Sequence, residues 1–183
     1  MREGQFVRAF KARDGRDVVL RAPKWADLDE MLGFINSLVA EEADISRDEM
    51  VSREEEIDWL ARCLSAVEKD RKVQIVAEVD GHFVGQVEVQ GKTGRSRHVG
   101  VLGIALKDGY RDVGIGTELM IEAERQASRS GLKILQLEVF CTNSRARHVY
   151  EKAGYSVVGT LPRDILKDGR YIDSIVMAKE ILS

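Results

Sequence analysis

The segment that most constrains the fold lies in the second half of the chain, where an apolar run leads into a glycine-punctuated loop. The run is Val99–Leu106 and the loop is Tyr110–Thr117, which contains Gly114 and Gly116. The helix-forming stretch Glu118–Ala127 comes next. The first N–H groups of a helix lack intrahelical partners and form the positive end of its dipole, so anions bind there. Glycines let the chain turn tightly and leave room for a phosphate. The segment predicts a strand–loop–helix unit that binds a phosphate, unless the glycines only punctuate a tight connection.

The spacing excludes two common nucleotide-binding loops. A dinucleotide-binding G-x-G-x-x-G motif would need a third glycine at position 119, which is Leu119. A Walker loop would need a glycine five residues before Gly91-Lys92-Thr93, but position 86 is Gln86 and Gly85 is one residue out of register. The phosphate ligand therefore belongs to another class.

Composition places the chain among ordinary globular proteins. Of its 183 residues, 44% are hydrophobic and 32% are charged, and we expect one domain over residues 1–183. The net charge of −3 indicates neither a nucleic-acid nor a membrane partner. No apolar run is long enough for a membrane span, and the start lacks a signal-peptide core. Cys63 and Cys141 are too few for a disulfide framework, and Cys63 is expected in the core. We predict a cytoplasmic protein, and no metal site is indicated.

Apolar periodicity and turn signals predict the element order β α α β β β α β α β β. Asp80-Gly81 is a hairpin signal, and Ser52 and Glu55 form a capping box. Strands are predicted at 18–22, 73–79, 83–89, 99–106, 134–140, 157–160 and 171–177, with helices beginning near Trp25, Ser52, Glu118 and Asn143. Strands joined through helices tend to be parallel, and strands joined by Asp-Gly turns are antiparallel. The predicted fold class is α/β (α+β), a mixed, largely antiparallel central sheet of about seven strands flanked by about four helices.

Two motifs resemble the GNAT superfamily of acetyl-CoA-dependent N-acetyltransferases. Arg111-x-x-Gly114-x-Gly116 is similar to its [QR]-x-x-G-x-[GA] pyrophosphate loop. The second half of its signature, L-x-V-x-x-x-N-x-x-A-x-x-x-Y-x-x-x-G-[FY], is matched at every fixed position. Those positions are Leu137, Val139, Asn143, Ala146, Tyr150, Gly154 and Tyr155. The resemblance extends over about residues 17–179.

This resemblance implies that acetyl-CoA is the cosubstrate. A backbone N–H near Ile104 would stabilise the oxyanion, Asn143 would meet the pantetheine arm, and Tyr150 would reach the sulfur. The full set of implied cofactor-binding residues is Ile104, Ala105, Leu106, Arg111, Asp112, Val113, Gly114, Ile115, Gly116, Thr117, Asn143 and Tyr150.

The resemblance also implies catalytic roles. Glu138 lies twelve positions before Tyr150, as in the ribosomal-protein alanine N-acetyltransferases, where these residues are general base and general acid. An ammonium cannot attack a thioester, so the acceptor must first lose a proton. The strand Val99–Leu106 carries no acid, and Glu88 is the reserve candidate for the base. Alternatively, neither residue is catalytic: Glu138 is a solvent-exposed carboxylate on the strand, and the Tyr150 ring packs in the core. Cys141 is disfavoured as a nucleophile because direct transfer needs no acyl-enzyme.

The acceptor is predicted only as a primary amine. The Glu138/Tyr150 spacing resembles enzymes that act on protein N-termini, whereas Asp168–Met177 resembles acetyltransferases of free amino acids and small amines. Arg163, Asp164, Asp173 and the acidic stretch Glu41–Asp44 are candidates for the acceptor side of the cleft. Attack is expected to be direct, in a ternary complex. A non-catalytic coenzyme A-binding sensor or assembly module is the alternative, and a homodimer is left open.

Overall fold

Eight strands form one sheet in the computed structural model, which describes residues 1–181. The spatial order is β1-β2-β3-β4-β5-β6-β8-β7, and only the β5–β6 pair is parallel. The strands are β1 Phe6–Lys11, β2 Asp17–Arg21, β3 Lys72–Val79, β4 His82–Gly91, β5 Val99–Leu106, β6 Ile134–Phe140, β7 Ser156–Lys167 and β8 Arg170–Glu180. The helices are α1 Leu28–Ala40, α2 Arg53–Glu68, α3 Ile115–Arg129 and α4 Ser144–Lys152, with 3-10 turns at Trp25–Asp27 and Gly94–Ser96. The predicted mixed, largely antiparallel fold with four helices is confirmed.

The strand count was one too low because β1 carries little signal of its own. Its sequence, FVRAFK, has two basic residues in six positions, and Phe6 is 62% exposed. The strand forms by antiparallel pairing with β2 at the edge of the sheet. Such pairing depends on where the partner strand lies, so local propensity does not reveal it.

The last hairpin is longer than the sequence indicated. Residues 157–160 and 171–177 were predicted as strands, whereas β7 and β8 span twelve and eleven residues. Register shifts interrupt their pairing, one of them between Leu161 and Ile165. This irregularity accommodates Pro162, which lacks a backbone N–H and is tolerated at an edge or a bulge.

The two faces of the sheet carry separate apolar clusters. Alternation along β3 places Ile75 on the face covered by α3 and Val76 on the face covered by α1 and α2. Both side chains are fully buried. We call these surfaces the α3 face and the α1/α2 face.

The sheet opens between β5 and β6. Their parallel pairing consists of Val99↔Ile134, Gly100↔Leu135 and Val101↔Gln136, and it stops there. Beyond that point β5 stays paired with β4 as far as Leu106, and β6 stays paired with β8 as far as Phe140. The carboxyl-terminal halves of β5 and β6 therefore diverge. Along this opening, residues 102–106 of β5 have no partner residue in β6.

Candidate active site

The glycine loop leads directly into the N-terminus of α3. Gly114 is the N-cap residue and has φ +94°, a conformation that L side chains rarely adopt. The helix begins at Ile115, three residues earlier than the predicted stretch, so Gly116 and Thr117 lie in its first turn. The first N–H groups of α3 thus lie immediately after the end of β5, where an anion can accept their hydrogen bonds.

Gly116, in the first turn of α3, lies close to β5. A Cβ on Gly116 would lie 3.3 Å from Leu106 Cδ1 and 3.9 Å from Ile104 Cδ1. That side of the residue faces β5, so the missing side chain lets α3 pack closely on the strand. The space for phosphate that the sequence attributed to both glycines is not on this side of Gly116.

Two charged residues of the loop attach it to other parts of the fold. Arg111 donates from Nε to the Leu106 carbonyl at 3.0 Å and forms an ion pair with Glu41 at the end of α1. Asp112 accepts from Arg145 Nε at 3.0 Å, which connects the loop with α4. The loop is therefore held by contacts on both sides.

The α4 helix presents the predicted asparagine and tyrosine. Asn143 caps the helix, since its Oδ1 accepts from the Ala146 N–H at 2.9 Å. Its amide Nδ2 makes no hydrogen bond within residues 1–181. Tyr150, seven residues later, packs against the α3-face core with its ring 6.3 Å from that of Tyr155. Burial raises the pKa of Tyr150 above its usual value of 10.0, so the hydroxyl keeps its proton at neutral pH.

The two candidate bases lie on neighbouring parts of the α1/α2 face. Glu138 is on β6 and exposed, and it has no hydrogen bond or ion pair among the described residues. Glu88 is on β4 opposite Gly103, and its Oε1 lies 3.5 Å from where a Cβ on Gly103 would be. Glu88 also forms an ion pair with Lys72, whose ammonium lies 5.1 Å from the Trp59 ring centre.

Both carboxylates lie on one face of the sheet, near the point where β5 and β6 part. Glu88 pairs with Gly103 across β4 and β5. Gly103 comes two residues after Val101, and Glu138 comes two residues after Gln136, the last residues that pair between β5 and β6. Glu88 and Glu138 therefore lie on one face where the sheet opens, with Glu88 beside a residue without a side chain, while Tyr150 packs against the opposite face. Bases on one face and an acid on the other can serve a transfer that takes place in the opening.

The acceptor-side candidates are largely engaged with cations or backbone groups. Glu41 is paired with Arg111, and Asp44 is 2.8 Å from Lys167 Nζ. Lys167 also donates to the Glu42 carbonyl at 2.7 Å. Asp173 accepts the Arg163 N–H at 2.9 Å. Asp164 is exposed, with no ion pair among residues 1–181. The charge pairs tie the α1–α2 connection to the loop and to the β7–β8 hairpin.

The sequence profile described as the Acetyltransferase (GNAT) family matches residues 27–155. The chain belongs to this family. The L-amino acid N-acetyltransferase AaaT of Escherichia coli (strain K12) is 34% identical over 110 residues, which are 58% of this chain and 67% of that protein. The ribosomal-protein-alanine N-acetyltransferase of Brucella melitensis has 26% identity and a TM-score of 0.79, with 89% of this chain and 99% of that chain covered. The phosphinothricin acetyltransferase (Pat) of Sinorhizobium meliloti, solved with acetyl-CoA, shows the same fold at 19% identity and a TM-score of 0.79, with 90% and 88% covered.

As a GNAT member, the chain is an acyltransferase enzyme. The predicted resemblances to acetyltransferases of free amino acids and to ribosomal-protein alanine N-acetyltransferases are both confirmed. No helix among residues 1–181 is long and apolar enough to cross a membrane. The same part of the chain contains no cluster of three or more His, Cys, Asp or Glu side chains able to hold a metal ion.

Cys63 is a buried core residue, and burial raises the pKa of its thiol to about 11. Cys141 is exposed.

Several residues near this GNAT site were missed by sequence reasoning. Lys72 and Trp59 accompany Glu88, and Lys167 holds the α1–α2 connection. Arg13 lies against the glycine loop. None of these residues belongs to a motif, because each reaches the site through contacts between distant segments. Alternation in β3 and β4 was the available signal for Lys72, since it places residues 72 and 88 on one face.

Proposed function

We propose that this GNAT enzyme transfers the acetyl group of acetyl-CoA to a primary amine by direct attack in a ternary complex. The observation that carries the proposal is the opening between β5 and β6, with Glu88 and Glu138 on one face and Tyr150 packed against the other. The 34% identity with an L-amino acid N-acetyltransferase favours the α-amino group of a free amino acid as acceptor. A small amine and a protein N-terminus are the other acceptors of this chemistry.

The residues along the opening fit acetyl-CoA. The pyrophosphate would accept hydrogen bonds from the N–H groups of residues 113–117, where Gly114 has a positive φ and α3 begins. The pantetheine arm would lie along residues 104–106, whose backbone groups are left without partners from β6. The amide Nδ2 of Asn143 is available to it. Bound there, acetyl-CoA supplies the activated acetyl group.

The remaining chemistry is the movement of two protons. The amine must lose one before it attacks, and an α-amino group with a pKa near 8 is about a tenth neutral at pH 7. Glu138 is proposed to accept this proton, since its carboxylate is exposed and unpaired among the described residues. The raised pKa of Tyr150 keeps a proton available for the departing thiolate. An N–H near Ile104 would stabilise negative charge on the acetyl oxygen.

Glu88 is the second candidate for the base. Its Oε1 lies over Gly103 at the point where the strands part. Its other carboxylate oxygen is engaged by Lys72. Comparing Glu138→Gln with Glu88→Gln separates the two, because only loss of the base removes the acidic limb of the pH–rate profile.

Thiol release from acetyl-CoA, measured against a panel of acceptors, tests the proposed function. The panel holds free L-amino acids, small amines, N-terminal peptides and hydroxyl compounds matched to the amines. We expect turnover with amines, led by free amino acids, and none with the hydroxyl compounds. Tight coenzyme A binding without turnover of any amine would instead favour the non-catalytic sensor. Equal turnover of alcohols and amines would overturn the amine specificity.

A further inference from the structure

An N-terminal hairpin that lies outside the matched family region docks on the glycine loop. The hairpin consists of β1, β2 and their turn at residues 12–16, whereas the family match begins at residue 27. The Arg13 N–H donates to the Val113 carbonyl at 2.9 Å. Arg16 donates to the Gly109 carbonyl at 2.8 Å, and its guanidinium lies 4.3 Å from the Tyr110 ring centre. The turn is therefore fixed against the loop by backbone and side-chain contacts.

The two arginines of this turn differ in the contacts that their side chains make. Arg16 is paired with Asp14 in addition to its contacts with the loop. The Arg13 side chain is exposed and forms no hydrogen bond or ion pair with any residue of the described range 1–181. Its Cγ and Nε lie 3.7 Å from the point where a Cβ on Gly114 would be. An unpaired guanidinium thus lies against the N-cap of α3.

This position is electrostatically unfavourable for a cation by itself. The N-terminus of a helix carries partial positive charge, which repels an arginine and attracts an anion. The neighbouring carboxylates do not compensate Arg13, because each is paired with another arginine. These pairs are Asp14 with Arg16, Glu41 with Arg111, Asp112 with Arg145 and Glu118 with Arg8. An anion at the loop would satisfy the helix N–H groups and Arg13 together.

We propose that Arg13 is a phosphate-binding residue for coenzyme A, supplied by the N-terminal hairpin. The inference rests on the proposed use of acetyl-CoA and adds a contact that the glycine-loop motif does not include. Guanidinium binds a phosphate through two parallel N–H donors, which suits both the pyrophosphate and the 3′-phosphate of coenzyme A. The hairpin therefore contributes to cofactor affinity and takes no part in the transfer step.

Calorimetric titration of coenzyme A into the full chain tests this role. Arg13→Ala removes the guanidinium and keeps the backbone N–H that holds the turn on Val113. We expect coenzyme A to bind about tenfold more weakly, as for loss of one charged hydrogen-bond partner. The coenzyme A affinity of Arg13→Lys should lie between those of the wild-type chain and Arg13→Ala, because lysine keeps the charge and lacks the two parallel donors. The matched control is Lys11→Ala, which removes a cation from the same hairpin. The Lys11 side chain is 68% exposed and is paired with Asp17.

Titration of 3′-dephospho-coenzyme A assigns the phosphate. If Arg13→Ala also binds this analogue more weakly than the wild-type chain does, Arg13 contacts the pyrophosphate. If both chains bind the analogue equally well, Arg13 contacts the 3′-phosphate. Either result supports the proposal. Unchanged coenzyme A affinity in Arg13→Ala with an unchanged circular dichroism spectrum would overturn it. An equal loss in Lys11→Ala would also overturn it, because the effect would then come from net charge. These results leave the proposed function standing, because that proposal fails only if the wild-type chain does not transfer acetyl groups from acetyl-CoA to amines.

Discussion

The cofactor side and the acceptor side of the site are held together by different forces. On the cofactor side, β5, the glycine loop and α3 follow one another along the chain, and Gly114 and Asn143 set the helix starts through backbone conformation and capping. On the acceptor side, the α1–α2 connection is held by Arg111–Glu41, separated by 70 residues, and Lys167–Asp44, separated by 123. Exposed ion pairs are weak, whereas helix caps and backbone conformation are intrinsic to their segments. The cofactor side should therefore tolerate little change, and the acceptor side should adjust readily.

The largest expected effect is on turnover in Tyr150→Phe. The substitution removes one hydroxyl and keeps the ring contact with Tyr155. If Tyr150 is the acid, kcat should fall about 10²-fold while coenzyme A affinity stays nearly the same. Because burial raises its pKa, the alkaline limb that Tyr150 gives to the wild-type profile should lie above pH 10. Steady-state kinetics and calorimetry measure both quantities.

The control for Tyr150→Phe is Tyr171→Phe, which removes a hydroxyl from a side chain that is 68% exposed. It should leave kcat unchanged. Wild-type kcat in Tyr150→Phe, with a modest loss of thermal stability, would show that the ring only packs in the core.

Glu138→Gln should have the next largest effect. Because the carboxylate is exposed, water can replace it in part, and we expect kcat/KM near pH 7 to fall roughly tenfold. The acidic limb of the pH–rate profile should disappear. Glu88→Gln is the matched comparison, since Glu88 flanks Gly103 on the neighbouring strand. Retention of the acidic limb in Glu138→Gln and its loss in Glu88→Gln would transfer the role of base to Glu88.

Gly116→Val should reduce the free energy of unfolding by about 1–3 kcal/mol. Its Cβ would lie 3.3 Å from Leu106 Cδ1, so the leucine side chain must shift, and the two valine methyl groups need further room beside β5. Urea unfolding measures the loss, and Leu106→Ala in the same chain should recover part of it by removing the opposing methyl groups. Thr117→Val, at an exposed position of the same helical turn, is the control. A fully stable Gly116→Val that has lost coenzyme A affinity would return the glycine to the phosphate role expected from sequence.

The smallest effect is expected for Glu41→Gln. It frees Arg111 from its ion pair and removes a negative charge near the glycine loop, so coenzyme A should bind about two- to fivefold more tightly. Asp44→Asn breaks the other pair of the same segment, with Lys167, and should leave this affinity unchanged. Titrations at low and high salt measure the difference, which should shrink as salt screens the charges. Equal gains in both variants would show that cofactor affinity depends only on the net charge of the segment.

The sequence by itself determined the parts whose conformation is local. The positive φ of Gly114, the Asn143 cap and the apolar run Val99–Leu106 act within a few residues, so β5, the loop, α3 and α4 could be placed before the fold was known. Periodicity likewise placed α1, α2 and the β3–β4 hairpin.

Tertiary structure alone decided the contacts between segments distant in sequence. The pairing of β1 with β2 brings Arg13 to the loop, and the pairing of β4 with β5 brings Glu88 to Gly103, where β5 and β6 part. The close packing of α3 on β5 sets the role of Gly116. Such contacts depend on how strands and helices pair across long stretches of chain, so the sequence around a side chain does not predict which distant residue it contacts.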